Sequence, residues 1–165
     1  MNKLKYQGYS ILLQEVPGEV SLAFSISGCP YRCRGCHSQY LWEYAGRYLS
    51  DDFDDVLEMY KGSVTCVCFM GGDQNEDELI NYCMEVHSAG LKTCLYTGAD
   101  YISDRLVEHL DYVKTGPYVS ERGGLDKKST NQRMYRVEIY KGARRLLDIT
   151  HMFTKEYKTR LKKRE

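Results

Sequence analysis

Three cysteines at short spacing form the segment of this sequence best suited to chemistry. Cys29, Cys33 and Cys36 follow a C-x3-C-x2-C pattern within the segment CPYRCRGCH. The short gaps force the chain to curl around one object and aim three sulfurs inward, and thiolates arranged in this way bind soft metals and iron–sulfur clusters. Because a four-iron cluster accepts four ligands, three cysteines would leave one iron open to a molecule from outside the protein.

Two other uses of these cysteines stay open on spacing alone. One is a disulfide with a spare thiol, although the odd count of seven cysteines and the lack of an apolar N-terminal signal favour a reducing compartment. The other is a structural zinc site that includes Cys33 and Cys36. Such sites usually contain a second ligand pair at similar spacing, and the sequence shows no clear second pair.

The bulk composition predicts one domain, residues 1–165, with no overall attraction to nucleic acid or membrane. A chain of 165 residues can bury one sizeable core, and 23 basic residues balance 23 acidic ones, so the formal net charge is zero. No apolar run approaches the length of a membrane span. We therefore expect a cytoplasmic protein with a core at about residues 9–135 and a basic tail at 155–165.

The elements that must position the cysteines alternate between strands and helices. Apolar patterning predicts strands at 9–14, 20–27, 64–70, 91–96 and 112–114, and helices at 38–46, 50–62, 73–90 and 103–110. Ser50 is the predicted N-cap of the second of these helices, and Asp73 with Glu76 forms a predicted capping box for the third.

This alternation predicts an α/β fold with a parallel sheet, and the cysteine loop follows the end of a strand. A closed eight-unit barrel takes about 250 residues, so we expect a partial, open (βα) barrel with its active site at the carboxyl ends of the strands. Beyond Pro117 the pattern changes. Residues 120–131 predict a polar loop, and residues 133–140 and 144–149 predict a hairpin across Lys141-Gly142.

The order of these motifs resembles that of the radical S-adenosylmethionine enzymes, which have full or partial βα barrels. In that superfamily three cysteines hold a [4Fe–4S] cluster, and S-adenosylmethionine chelates the fourth iron. The resemblance assigns the cluster to Cys29, Cys33 and Cys36, and the family's glycine-rich motif to Gly71-Gly72-Asp73. Glycines let the backbone approach a ligand closely, and a carboxylate accepts hydrogen bonds from the ammonium of the methionine moiety.

Within that superfamily, the chain is similar to the activating proteins of anaerobic ribonucleoside-triphosphate reductases. These proteins are near this length and share the pattern Cys-Pro-x-x-Cys-x-Gly-Cys-His/Tyr. Their later motifs correspond, in the same order, to Thr97-Gly98, Gly116-Pro117-Tyr118 and the segment 129–133. The chain departs from them at Thr115, where many members have aspartate, and at Gln74, where many have proline.

The resemblance implies a set of cofactor-binding residues and no catalytic side chain beyond the cluster and the cofactor. Asp111 and Lys114 are predicted to supply the polar contacts that Thr115 does not. For His37, a hydrogen bond behind the cluster ligands and a plain loop position are both open. The predicted cofactor contacts are Gly35, His37, Gly71, Gly72, Asp73, Thr97 and Lys114.

The activity that the resemblance implies is glycyl-radical activation. A flavodoxin-type donor passes one electron to the cluster, and S-adenosylmethionine is cleaved to methionine and a 5′-deoxyadenosyl radical. That radical takes a hydrogen atom from a glycine in the large reductase subunit. The alternatives are an activase of another glycyl-radical enzyme, a small-molecule radical enzyme, and a non-catalytic zinc or electron-transfer protein.

Four further cysteines and the basic tail have two interpretations each. Cys66 and Cys68 are two residues apart on a predicted strand and so lie on one face. With Cys83 and Cys94 they could form a second metal site, but buried free cysteines also serve as ordinary small core residues, and we predict that role. The tail could dock a partner or form a solvated terminus.

Overall fold

The computed structural model describes residues 2–164. A single eight-stranded sheet runs through these residues and stays open instead of closing into a barrel. The strand order is β3-β1-β2-β4-β5-β6-β7-β8. The strands are β1 (Lys5–Leu12), β2 (Ser21–Ile26), β3 (Arg47–Tyr48), β4 (Cys66–Met70), β5 (Lys92–Tyr96), β6 (Tyr112–Thr115), β7 (Arg133–Tyr140) and β8 (Ala143–Asp148).

The four central strands, β2, β4, β5 and β6, are mutually parallel, whereas the strands on both flanks pair antiparallel. The prediction of an open α/β fold is confirmed. The predicted parallel sheet corresponds only to these four central strands. Helical crossovers join β2 to β4 and β4 to β5, which is what parallel pairing of neighbours requires. Their carboxyl ends therefore meet at one edge of the sheet.

The first three α-helices cover one face of the sheet. The α-helices are α1 (Leu49–Tyr60), α2 (Glu76–Ser88), α3 (Asp104–Val107) and α4 (Lys155–Lys162). The apolar stripes of α1 and α2 pack on alternate side chains of β2 and β4. Phe53 of α1 lies 5.4 Å from Phe24 and 4.5 Å from Tyr82 between ring centroids. A second core on the opposite face includes Ala23, Cys68, Met134 and Phe153.

Two predicted helix caps are wrong. Ser50 lies inside the first turn of α1, which begins at Leu49 with Tyr48 as its N-cap. A short 3₁₀ turn at Asp73–Asn75 precedes α2, and the side chain of Asn75 accepts a hydrogen bond of 3.3 Å from the amide of Glu78. Asn75 is therefore the cap of α2, and the carboxylate of Asp73 is free for other partners.

The predicted helix at 38–46 is reduced to one 3₁₀ turn at Gln39–Leu41. The reason is that the carbonyl of Leu41 is used by the cysteine loop and the amide of Ala45, its partner in a longer helix, donates to the hydroxyl of Ser27 at 3.2 Å. The amide of Cys29 donates to the carbonyl of Leu41 at 2.9 Å, and the amide of Gly28 donates to that of Glu43 at 3.3 Å. This exchange ties the start of the cysteine loop to the segment that follows it.

The C-terminal part contains the predicted hairpin and an added helix. Strands β7 and β8 join through Lys141 and Gly142, both with positive φ (50° and 78°), as a two-residue hairpin turn requires. The basic tail forms α4, whose N-cap Thr154 accepts a hydrogen bond from the amide of Tyr157. None of the helices within residues 2–164 combines the length and the apolar character needed to cross a bilayer.

Candidate metal and cofactor site

A cavity of about 680 Å³ lies at the carboxyl ends of the four parallel strands. That volume is within the range of small-molecule and cofactor sites. Eight of the ten predicted metal and cofactor residues line it; the other two, Gly35 and Gly72, lie in adjacent backbone turns. The eight are Cys29, Cys33, Cys36, His37, Gly71, Asp73, Thr97 and Lys114.

The cysteine loop is curled by three residues in the left-handed backbone region. Gly28 has φ +81°, Arg32 φ +46° and Gly35 φ +78°. The conformation costs little at glycine but is strained at Arg32, whose guanidinium is held by Glu43 at 3.0 Å. A Cβ on Gly35 would lie 3.5 Å from the ring of Tyr118, so the loop packs closely on the Gly-Pro-Tyr segment.

The donor chemistry of the loop fits an iron–sulfur cluster. Its three thiols open on one cavity, and the amide of Ser38 donates to the sulfur of Cys36 at 3.3 Å. Within the described residues, no three His, Cys, Asp or Glu side chains converge as they would around a single metal ion. Cysteine ligands of a cluster bind separate irons, so their sulfurs need not converge on one point.

The Gly71-Gly72-Asp73 motif turns the chain from β4 towards α2 and presents one carboxylate to the cavity. Gly71 and Gly72 have φ of +99° and +115°, which L side chains rarely adopt. Asp73 then accepts hydrogen bonds at Oδ2 from the hydroxyl of Thr97 (2.7 Å) and from that of Tyr31 (3.3 Å). The carboxylate is thus fixed by donors from two other segments.

Lys114 supplies a cation to the same cavity. Its ammonium group donates to the carbonyls of Thr97 (3.2 Å) and Gly116 (3.0 Å), near the ends of β5 and β6. Burial lowers the pKa of Lys114 to about 8, and the neighbouring cysteines and Asp73 oppose that effect. The site therefore contains a cation and an anion in a partly desolvated setting.

Asp111, the other residue predicted to compensate for Thr115, does not reach the cavity. It precedes β6 and lies at the opposite end of that strand. Its carboxylate accepts from the amide of Thr93 at 2.8 Å and contacts the ring nitrogen of His87 at 2.9 Å. Because Asp111 and the cavity lie at opposite ends of β6, its carboxylate cannot reach the cofactor site. Its contacts with Thr93 and His87 instead stabilise the sheet.

Two residues of the site, Gln74 and Tyr118, are absent from the predicted cofactor contacts. Gln74, at a position where the chain departs from similar proteins, accepts from the amide of Gly72 and donates to the carbonyl of Ser27, both at 3.0 Å. It links the glycine turn to the start of the cysteine loop. Tyr118 lies 5.9 Å from His37 between ring centroids. The motif Gly-Pro-Tyr pointed to Tyr118, whereas no local signal pointed to Gln74.

The polar segment at residues 129–133 braces the far side of the cavity. The side-chain amide of Asn131 donates to the carbonyl of Pro117 at 2.9 Å. Gln132 is buried, lines the cavity and lies 3.4 Å from the carbonyl of Gly116. This segment therefore shapes the Gly-Pro-Tyr turn and contributes to the cavity wall.

The other four cysteines are free thiols that lie on two different faces of the sheet. Cys66, Cys68 and Cys94 belong to the core on one face, and Cys83 of α2 belongs to the core on the helical face. Burial raises the pKa of Cys66, Cys83 and Cys94, to about 12 for Cys83. The sheet separates Cys83 from the other three, and the protonated thiols of Cys66, Cys83 and Cys94 are poor metal ligands, so a packing role is supported.

Comparison with known proteins agrees with the chemistry of the loop. Residues 16–137, more than half of the chain, match the family described as "4Fe-4S single cluster domain". The matched range begins before β2, contains the cysteine loop and all four parallel strands, and ends within β7. A search of curated proteins gave no match.

Proposed function

Because this chain belongs to the family of 4Fe-4S single cluster domains, we propose that it is a radical S-adenosylmethionine activase with one [4Fe–4S] cluster. Its substrate is the large subunit of an anaerobic ribonucleotide reductase, on which it generates a glycyl radical. One observation carries the proposal: three thiols, a carboxylate and an ammonium group line one cavity at the carboxyl ends of parallel strands.

The cysteine loop would hold the cluster through Cys29, Cys33 and Cys36. When bound, the cluster and S-adenosylmethionine supply a one-electron cleavage of a carbon–sulfur bond that leaves a fragment able to remove a hydrogen atom. The chain's own part is to hold the three thiols in place. The left-handed turns at Gly28 and Gly35 do this, and the electron would come from a flavodoxin-type donor.

Asp73 and Lys114 suit the amino-acid end of S-adenosylmethionine. That end is a zwitterion, with one ammonium and one carboxylate group. Within the described residues, both hydrogen bonds to Asp73 end on Oδ2, so Oδ1 can accept from the ammonium. Lys114 has three N–H donors and uses two on carbonyls, so the third can reach the carboxylate.

A protein substrate is supported by the open sheet and by the loop that borders the cavity. Four parallel strands are half of a closed barrel. The loop after Pro117 contributes Ser120, Gly123 and Gly124 to the cavity wall. The same loop also brings the polar side chains of Asp126 and Lys127 to the cavity, so it could meet a partner's loop whose glycine approaches the cofactor.

Electron spin resonance on the cluster-loaded, reduced protein tests this function. With S-adenosylmethionine and the anaerobic reductase of the same cell, a glycyl-radical doublet should appear, and it should vanish when the reductase's C-terminal glycine is changed to alanine. The Cys33→Ala variant is the matched negative control. If the cofactor is consumed with another glycyl-radical enzyme or a small molecule and the reductase stays without radical, that alternative activity replaces this proposal.

A further inference from the structure

The side chain of Tyr31 joins the cysteine loop to the ends of two other strands. Tyr31 lies between Cys29 and Cys33 and lines the cavity. Its hydroxyl donates to Oδ2 of Asp73 at 3.3 Å, and its ring rests on the backbone of Gly98. One side chain thus connects the loop after β2 with the turns after β4 and β5.

The contact between Tyr31 and Gly98 depends on the lack of a side chain at position 98. A Cβ built on Gly98 would lie 2.7 Å from both Cγ and Cδ2 of Tyr31, closer than real Cβ contacts occur. Gly98 is outside the positive-φ region, so the need for glycine here comes from space and not from backbone conformation. The aromatic ring therefore has one defined position, against the backbone of Gly98.

The hydrogen bond of Tyr31 falls on the carboxylate oxygen that Thr97 also contacts. The two hydroxyls approach Oδ2 of Asp73 at 3.3 Å and 2.7 Å. A carboxylate can accept several hydrogen bonds, so both can hold Oδ2 while Oδ1 remains available.

We infer that Tyr31 is a positioning residue that orients Asp73 towards the ammonium of bound S-adenosylmethionine and aligns that carboxylate with the cluster loop. This inference rests on the proposed function and deepens it. Tyr31 sits within the run of cluster ligands, so any displacement of its ring moves the loop and the carboxylate together. The packing of the Tyr31 ring against Gly98 sets the relative position of the cluster and the cofactor.

The test is a double-mutant cycle on cofactor affinity in anaerobic, cluster-loaded, non-reduced protein, measured by titration. Tyr31→Phe keeps the ring and loses one hydrogen bond, so it should weaken S-adenosylmethionine binding by about three- to tenfold without loss of iron. In the Asp73→Ala background, the same change should have less than about a twofold effect, since its partner is gone.

Gly98→Ala tests the packing of the Tyr31 ring against position 98. It adds a second readout, the rate at which a chelator removes iron. The new methyl group should displace the ring, weaken cofactor binding at least as much as Tyr31→Phe, and accelerate iron loss severalfold. Gly62→Ala is the matched control, because a Cβ on Gly62 meets no atom within 4 Å. Tyr101→Phe, at a tyrosine that is 91% exposed, is the control for the hydroxyl.

The outcomes separate this inference from the proposed function. If the wild-type protein binds S-adenosylmethionine but Tyr31→Phe is neutral, or costs the same factor with and without Asp73, the positioning role is wrong and the function stands. If the wild-type protein carries a cluster and binds no S-adenosylmethionine, both fall. Non-additive losses of S-adenosylmethionine affinity in the double-mutant cycle, with normal iron content in Tyr31→Phe, would support the positioning role of Tyr31.

Discussion

The hydroxyl of Thr97 donates a hydrogen bond of 2.7 Å to Oδ2 of Asp73, and this contact joins the turns that follow two neighbouring parallel strands. Thr97 is buried, so the bond is shielded from competing water. Sequence reasoning placed both residues at the cofactor separately. The structure adds that the hydroxyl of Thr97 holds the carboxylate of Asp73 in place. Thr97 would therefore act on the cofactor through Asp73.

Removing this carboxylate should weaken cofactor binding and spare the cluster. Hydrogen bonds to charged groups are typically worth about 1.5–3 kcal/mol, so Asp73→Ala should weaken S-adenosylmethionine binding by one to two orders of magnitude with normal iron content. Thr97→Val should cost less, about three- to tenfold. Titration of cluster-loaded protein measures both, with Asp77→Ala, at an exposed carboxylate, as control. Unchanged affinity in Asp73→Ala would move the role to the backbone of Gly71 and Gly72.

The three loop cysteines should each be essential for the cluster. Replacing Cys29, Cys33 or Cys36 by alanine removes one of three thiolates, and reconstitution with iron and sulfide should then yield no catalytically competent [4Fe–4S] centre. Product analysis should find no reductive cleavage of S-adenosylmethionine. Cys83→Ala, in the core on the helical face, is the matched control and should keep both cluster and cleavage. Formation of 5′-deoxyadenosine by the triple alanine variant would refute the assignment.

The four buried cysteines should be dispensable for iron binding. Changing Cys66, Cys68, Cys83 and Cys94 together to alanine or serine should leave about four irons per chain, measured after reconstitution. Each change should lower the free energy of unfolding by about 1 kcal/mol, so single variants are the fallback if the quadruple variant does not fold. A folded variant that loses iron would reveal a second metal site.

Lys114 should make the stability of the cluster-free protein depend on pH. Its folded pKa of about 8 lies below the ordinary value of 10.5, so between these values the unfolded chain binds more protons. The contribution of Lys114 to the free energy of unfolding should therefore rise from pH 8 to pH 10.5, by up to roughly 3 kcal/mol, since a pKa displaced by one unit corresponds to about 1.4 kcal/mol. The buried thiols, whose pKa values are raised, contribute in the opposite direction, so the effect of Lys114 is measured as a difference from a variant.

The Lys114→Met variant, in which this titration is absent, isolates the effect. Denaturant unfolding under anaerobic, reducing conditions should show that wild type gains stability relative to Lys114→Met as the pH rises through this window. Lys61→Met, at an exposed lysine, should keep the wild-type pH profile. A constant difference between wild type and Lys114→Met at all pH values would show that the ammonium is not destabilised by burial.

Features that depend on local spacing could be predicted from the sequence alone. The C-x3-C-x2-C loop needs only its own short gaps to curl, and the alternation of apolar strands with amphipathic helices sets the class of fold. Gly71 and Gly72 were identified through the resemblance of Gly71-Gly72-Asp73 to a glycine-rich family motif, which is also a local pattern. The hairpin at Lys141-Gly142 was placed from the sequence because its turn geometry is local.

The contacts of the polar side chains at the cavity could not be predicted, because they depend on how distant parts of the chain pack together. Asp73 and Asn75 are both good helix caps in isolation, and the proximity of Thr97 and Tyr31 leaves the capping role to Asn75. Tyr31 and Asp73 are 42 positions apart, so no local pattern predicts their hydrogen bond. The register of four parallel strands brings these residues to one edge, and that register depends on packing across the whole sheet.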